Sequence, residues 1–165
     1  MATTLTNPPI DVALTSIKGE SRPLREWLTT FHLATVVLDP YTNESSWILP
    51  TAIRVLRHFG GAAVRASFVL TCTPDEARTY LGPIADEILA FCDPDRSYVR
   101  SLGLTELPAF VLLRGDGTVA AGAQGWKAAE WQTVVDAVAA LTSWTGTLLP
   151  AAGDPGSFKG TPALG

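Results

Sequence analysis

The sequence predicts an α/β domain in which helices pack on both faces of a central mixed β-sheet, giving a three-layer α/β/α sandwich. Strand-length apolar segments alternate with helical segments over the first two-thirds of the chain, an order typical of parallel strands joined through helices. A hairpin pattern around Asp116-Gly117 then adds an antiparallel strand, so the sheet is expected to be mixed. At 165 residues the chain is long enough for one full hydrophobic core.

The domain is expected to span residues 10–144, and residues 1–30 are expected to form its N-terminal entry segment. Ile10–Leu14 alternates in polarity like a short strand, and Lys18–Glu20 has the composition of a turn. Pro23–Thr29 is long enough for one or two helical turns.

A buried strand and a long helix follow the entry segment. Thr35–Leu38 is β-branched and apolar, which favours a strand. Ser45 or Ser46 is the predicted helix cap, and Gly60-Gly61 ends the helix. Pro50 predicts a kink, because proline cannot donate a backbone hydrogen bond. The apolar face of this helix repeats at helical spacing: Ile48, Ala52, Val55 and Phe59.

The later elements continue the alternation of strands and helices. Strands are predicted at Val64–Thr71, Ile88–Phe91, Ala109–Leu113 and Thr118–Ala121. Helices are predicted to begin at Pro74, to span Asp95–Ser101, and to follow a last apolar stripe formed by Trp131, Val134, Val135, Val138 and Leu141. Residues 145–165 are rich in Gly, Pro, Ala and Thr, which predicts a flexible C-terminal tail.

Composition and charge argue against two classes of partner and indicate a cellular compartment. The net charge is −4 and the twelve basic residues are scattered, so no nucleic-acid surface is expected. No apolar run approaches the length that a membrane span requires, so no membrane insertion is expected. Met1–Val12 has neither a basic nor an apolar region of a secretory signal, which predicts a cytoplasmic protein.

Two segments stand out: the strand Val36–Leu38 with Tyr41 after it, and Leu107-Pro108 before the apolar run Ala109–Leu113. Together they resemble the thioredoxin-like superfamily, in particular its peroxiredoxin (AhpC/TSA) and TlpA-like branch. Val36–Pro50 resembles the strand, active-site turn and helix, with Tyr41 as the aromatic residue before the usual Cys-x-x-Cys motif. Leu107–Leu113 resembles the cis-proline loop and its strand, and Phe91–Leu104 resembles the helix and strand inserted in that branch. The resemblance covers about residues 10–142 and implies the three-layer fold.

The departures from this family concern the reactive residues. The resemblance places Thr42 and Ser45 at the two cysteine positions and Val36 at the position of a buried carboxylate. A hydroxyl group cannot form a mixed disulfide, so the dithiol chemistry is expected to be lost. In a second alignment, Ser46–Thr51 matches the peroxiredoxin Thr/Ser-x-x-Cys-Pro-Thr segment, and Leu49 then occupies the position of the peroxidatic cysteine.

A thioredoxin-like domain without its active-site thiols is expected to act as a peptide- or protein-binding, scaffolding or assembly module rather than as an enzyme. In active relatives the cis-proline loop pairs with an extended peptide of the client, and that pairing needs no cysteine. The resemblance therefore implies a protein partner, without cofactor or metal. The expected contact residues are Tyr41, Thr42, Asn43, Glu44, Ser45, Trp47, Glu106, Leu107 and Pro108.

The alternative is a thiol–disulfide oxidoreductase or a peroxidase that uses Cys72 or Cys92. Both cysteines follow predicted strands and fall at the edge of the sheet where α/β folds place their sites. The competing interpretation is that both are small buried core residues. The two histidines, His32 and His58, are expected to lie at the surface.

Overall fold

The computed structural model describes residues 5–165; residues 1–4, which begin the predicted entry segment, lie outside the described residues. Strands and helices alternate as the sequence predicts, and the expected mixed α/β architecture is confirmed. The strands are β1 (Ala13–Ser16), β2 (Ser21–Pro23), β3 (His32–Leu38), β4 (Val64–Leu70), β5 (Leu89–Cys92), β6 (Glu106–Leu107), β7 (Ala109–Leu113), β8 (Val119–Gln124) and β9 (Thr161–Pro162). The helices are α1 (Leu24–Trp27), α2 (Asn43–His58), α3 (Pro74–Leu81), α4 (Ile84–Glu87), α5 (Ser97–Ser101) and α6 (Ala128–Thr142).

The central sheet has seven strands in the order β2-β1-β5-β4-β3-β7-β8. Strand β3 pairs parallel with β4 on one side and antiparallel with β7 on the other, and β4 pairs parallel with β5. The carboxyl ends of β3, β4 and β5 therefore meet the amino end of β7 at one edge of the sheet. Edges of this kind are where α/β folds place their binding sites.

Helices cover both faces of the central sheet, and the end of β3 from Val36 to Leu38 is apolar towards both of them. Val36 and Leu38 face α2, α3 and α6, while Val37 faces α1 and α5. All three side chains are fully buried. The sequence of a strand that is buried on both faces is typically a nearly continuous apolar run, and Thr35–Leu38 shows this pattern.

Helix α2 begins earlier than the sequence predicts. Its cap is Thr42, whose side chain accepts a hydrogen bond from the backbone of Ser45, and the first helical residue is Asn43. The predicted caps Ser45 and Ser46 lie within the first turn, so that prediction was wrong. The reason is that the Ser45 hydroxyl accepts a hydrogen bond from the backbone N–H of Asp39 instead. The helix runs through Pro50 as one element.

The entry hairpin is displaced along the chain from its prediction. Strand β1 begins at Ala13 instead of Ile10, and it pairs with β2 across a turn that contains Gly19 at a φ of 87°. A positive φ of this kind favours glycine, which fixes the turn at the predicted Lys18–Glu20.

The C-terminal segment, residues 145–165, lies along the domain, where composition predicts a flexible tail. Asp154 forms an ion pair with Arg54, with its side chain only 2% exposed. Further along, Phe158 pairs with Trp126, and β9 pairs antiparallel with β6. Composition averages over the segment, whereas a few specific contacts decide where it lies.

No helix within residues 5–165 is both long and apolar enough to cross a bilayer.

Candidate functional site

The candidate site lies at the sheet edge where β3 and β7 meet. Asp39 directly follows β3, and the turn from Pro40 to Thr42 leads into α2. The Leu107–Pro108 peptide bond, which is cis, directly precedes β7. Because Val37 pairs with Ala109, the turn and the proline loop are brought together as the resemblance implies.

The turn is held by hydroxyl groups at the two positions that the resemblance assigns to cysteines. The Thr42 hydroxyl donates to the carbonyl oxygen of Asp39 at 2.9 Å, and it caps α2. Ser45 is fully buried, and its hydroxyl accepts from the backbone N–H of Asp39 at 2.9 Å. Both hydroxyls are therefore used to close the turn, and within residues 5–165 neither has a side-chain base as a hydrogen-bond partner.

The outer side of the turn presents aromatic side chains. Tyr41 is 63% exposed and Trp47 is 54% exposed. The Tyr41 hydroxyl donates to Glu76 at 2.5 Å, and this hydrogen bond raises the pKa of Tyr41 to about 12. Asn43 is exposed and Glu44 is half-buried in the first helical turn. The predicted contact residues of the turn thus include two exposed aromatic rings.

The predicted contact residues of the proline loop are covered by the C-terminal segment. Leu107 and Pro108 are buried, and β6, which contains Glu106 and Leu107, pairs with Thr161-Pro162. The Glu106 carboxylate accepts from the backbone N–H of Gly160 at 2.8 Å. The edge expected to receive a partner peptide is therefore occupied by residues of the same chain.

An ion pair that the sequence does not predict joins the turn to this segment. Asp39 is buried and accepts from the Arg96 guanidinium at 2.9 Å. The same guanidinium donates to the carbonyl oxygen of Ala163 at 2.7 Å. Arg96 has a φ of 59°, in the left-handed region that side chains seldom adopt. An aspartate ending a buried strand was a visible signal in the sequence, whereas nothing local pointed to Arg96.

The two cysteines lie at the predicted edge, but both are buried. Cys72 follows β4 and Cys92 ends β5, and both are free thiols. Burial raises the pKa of Cys72 to about 12, with a smaller contribution from Cys92. Burial also raises the pKa of Cys92 to about 11, and the nearby positive charge of Arg78 does not offset it. Neither thiol is poised as a thiolate near neutral pH.

Each histidine contacts a backbone group that is distant in the sequence. His32 accepts from the backbone N–H of Gly115 at 3.0 Å, and a ring nitrogen of His58 lies 2.6 Å from the carbonyl oxygen of Thr145. Within residues 5–165, no group of three or more His, Cys, Asp or Glu side chains is arranged to bind a metal ion.

Comparison with known proteins identifies the fold. No protein-family profile matches the chain, and no curated protein sequence matches it. Solved structures do match. MTB DsbF, in mixed oxidized and reduced forms, is 16% identical with a TM-score of 0.65, over 81% of this chain and 96% of that chain.

Two further solved structures, one named as a disulfide oxidoreductase and one as a peroxiredoxin, are similar to this chain. A secreted Mycobacterium tuberculosis disulfide oxidoreductase homologous to E. coli DsbE is 17% identical, with a TM-score of 0.62 over 79% of this chain and 96% of that chain. Xanthomonas campestris peroxiredoxin Q is 16% identical, with a TM-score of 0.66 over 86% of this chain and 98% of that chain. At this level of identity the likeness shows the thioredoxin-like fold, which agrees with the predicted fold class.

Proposed function

We propose that this protein is a redox-inactive thioredoxin-fold module that binds a protein or peptide partner at the edge between β3 and β7. The observation that supports the proposal is the lack of a reactive thiol at this site. Thr42 and Ser45 stand in the turn, and the two cysteines are buried with raised pKa values. A fold with an exposed aromatic turn and no activated thiol is suited to binding rather than to electron transfer.

The proposed contact surface is the outer side of the turn, Tyr41–Trp47, together with the β6 edge. Trp47 is exposed and also packs edge-to-face on Phe158, with ring centroids 5.4 Å apart. It therefore links the turn to the segment that covers β6. Exposed aromatic residues beside a groove are frequent anchors for protein partners.

The binding surface is tested by affinity capture from native extract with mass spectrometry, comparing the wild type with Trp47→Ala. The matched control is Ile10→Ala, because Ile10 is 53% exposed, close to the value for Trp47, and contacts the hairpin at Gly117. That hairpin lies at the opposite end of β7 from the proline loop. A partner that is lost with Trp47→Ala and kept with Ile10→Ala supports the surface; interactions that survive both substitutions argue against it.

The alternative function, a thiol–disulfide oxidoreductase or peroxidase using Cys72 or Cys92, is distinguished by activity. The solved neighbours include proteins named as a disulfide oxidoreductase and a peroxiredoxin, which makes this test necessary. Insulin reduction and peroxide consumption are measured for the wild type, Cys72→Ser and Cys92→Ser. The proposal expects background rates in all three; turnover that disappears with either substitution would establish the enzyme instead.

A cytoplasmic location belongs to the same proposal. Its support is that both cysteines are free thiols, the state kept in a reducing compartment. Fractionation of cells that express the full chain tests it, and recovery in the secreted or periplasmic fraction would count against it.

A further inference from the structure

The C-terminal segment binds the β6 edge as an extended peptide would. Strand β9 pairs antiparallel with β6, so that Glu106 faces Pro162 and Leu107 faces Thr161. The backbone N–H of Ala163 donates to the carbonyl oxygen of Thr105 at 3.0 Å, which prolongs the pairing by one residue. Main-chain bonds of this kind provide affinity for any extended peptide, and side-chain pockets provide the selectivity.

Two positions of the segment accept only small residues. A Cβ atom added to Gly160 would lie 2.7 Å from the carbonyl oxygen of Leu107 and 2.9 Å from the Glu106 side chain. A residue larger than glycine therefore requires the backbones to separate. Ala163 is 1% exposed and belongs to the buried cluster that contains Leu107 and Tyr98, so a larger side chain would have to displace core residues.

Polar groups hold the segment between and around these two positions. The Thr161 hydroxyl donates to the carbonyl oxygen of Leu107 at 3.3 Å. Arg96 donates to the carbonyl oxygen of Ala163 and is itself held by the buried Asp39. A left-handed conformation at a residue such as Arg96 is costly and is often found where it serves a binding site.

We propose that the β6 edge is a specific receptor for extended peptides of the pattern Gly–hydroxyl residue–any residue–Ala, and that Gly160–Ala163 is its tethered occupant, displaced when a partner presents the same pattern. This inference rests on the proposed function for the existence of such a partner. The pairing in β9 is only two residues long, so the occupant is able to leave without disrupting the seven-stranded sheet.

The tether explains how a weakly paired segment holds the edge. Asp154 and Phe158 fix the chain close to β6, through Arg54 and Trp126 respectively. A short tether keeps its ligand at an effective concentration of about millimolar, so a free peptide must compete against it. Weakening the occupant should therefore increase the apparent affinity for a peptide added in trans.

The test uses the full chain and a fluorescein-labelled peptide with the sequence of residues 157–165. Gly160→Val should disengage the occupant and increase the affinity for the labelled peptide at least about tenfold over the wild type. The matched control is Gly156→Val in the same segment, because a Cβ at Gly156 meets no atom within 4 Å. This control should bind the peptide as weakly as the wild type does.

A second peptide, in which valine replaces the residue corresponding to Gly160, checks that the edge reads the sequence. It should bind the Gly160→Val protein at least about tenfold more weakly than the unaltered peptide, since its added side chain meets the same atoms. Equal binding of the two peptides would show that the edge has no selectivity and would overturn the pattern.

Folding of the Gly160→Val protein is verified by circular dichroism and by its thermal transition. If it fails to fold, Thr161→Val replaces it, which removes one hydroxyl contact without adding volume at the close approach. A folded variant that binds no labelled peptide at millimolar concentration overturns the inference, even if Trp47-dependent capture of a partner succeeds. Peptide binding without any Trp47-dependent partner leaves the β6 edge standing as a peptide-binding site and counts against the Tyr41–Trp47 surface of the proposed function.

Discussion

Ser45, at a position that the resemblance assigns to a cysteine, closes the turn through its hydroxyl group. It is fully buried and accepts from the backbone N–H of Asp39 at 2.9 Å. Ser45→Ala leaves that buried N–H without its partner, so we expect the free energy of unfolding to fall by about 1–3 kcal/mol. Urea denaturation followed by fluorescence measures the change.

The control for this prediction is Ser46→Ala. Ser46 is the next residue in α2, but it is exposed, and its hydroxyl lies 3.1 Å from the hydroxyl of Tyr80. Substitutions at exposed positions of this kind change stability by less than about 0.5 kcal/mol. Equal effects of Ser45→Ala and Ser46→Ala would show that the Asp39 hydrogen bond contributes nothing.

Tyr98 presents the opposite case, a buried hydroxyl that makes no hydrogen bond with any described residue. Its side chain is fully buried, and burial raises the pKa of this phenol. Tyr98→Phe removes a polar atom that has lost its contact with water, so we expect stability to be unchanged or to rise by up to about 1 kcal/mol. A loss of more than about 1 kcal/mol in urea denaturation would show that the hydroxyl has a partner in solution.

At the scale of elements, the C-terminal segment depends on one carboxylate. Hydrogen bonds from Arg54 are the main cause that lowers the pKa of Asp154 from 3.8 to about 2. The folded protein therefore binds this proton more weakly than the unfolded chain does. The resulting stabilisation is fully present above about pH 4 and is lost as the pH falls towards 2.

Asp154→Asn should lower the free energy of unfolding at pH 7 by about 1.5–3 kcal/mol, the range for a hydrogen bond to a charged group. The difference in melting temperature between the wild type and the variant should shrink as the pH falls from 4 to 2, because the wild-type carboxyl then becomes neutral too. Asp11→Asn, at an exposed position, is the control and should show no such convergence. A difference that stays constant with pH would contradict the assigned role of Asp154.

The order of the elements was predictable from sequence because it is encoded by local periodicity. The continuous apolar run of β3 and the stripe of α6 predicted buried elements, and both are observed, except that Leu141 at the end of the stripe is exposed. The start of α2 was not predictable, since Thr42, Ser45 and Ser46 are all good caps. Only the packing of Ser45 under Asp39 decides among them.

At the scale of the whole molecule, the sequence predicted the fold but did not predict that the C-terminal segment covers β6. The turn and the proline loop could be placed together because the superfamily resemblance fixes which strands are neighbours. The cover of β6 comes from residues more than fifty positions further along the chain, as in the pairing of Leu107 with Thr161. The composition of residues 145–165 resembles that of a linker. Such a contact depends on three-dimensional complementarity at Gly160 and Ala163, which periodicity does not report.

The same contrast predicts a hierarchy of stability within the molecule. The centre of the sheet, at Val37 and Val111, is fully buried and paired along β3 and β7. The segment is held at its far end by a two-residue strand. Short, partly exposed pairings open locally, at lower free energy than global unfolding. We therefore expect the amides of Gly160 and Ala163 to exchange with solvent at least about tenfold faster than those of Val37 and Val111.

Hydrogen exchange followed by nuclear magnetic resonance measures this order, and Asp154→Asn tests its origin. The variant should accelerate exchange in residues 157–163 and leave the ratio between the Val37 and Val111 amides unchanged, because it loosens the tether and not the sheet. If Gly160 and Ala163 instead exchange with the same opening free energy as Val37, the segment belongs to the global cooperative unit. It could not then leave the β6 edge in the folded protein, and displacement by a partner peptide would be excluded.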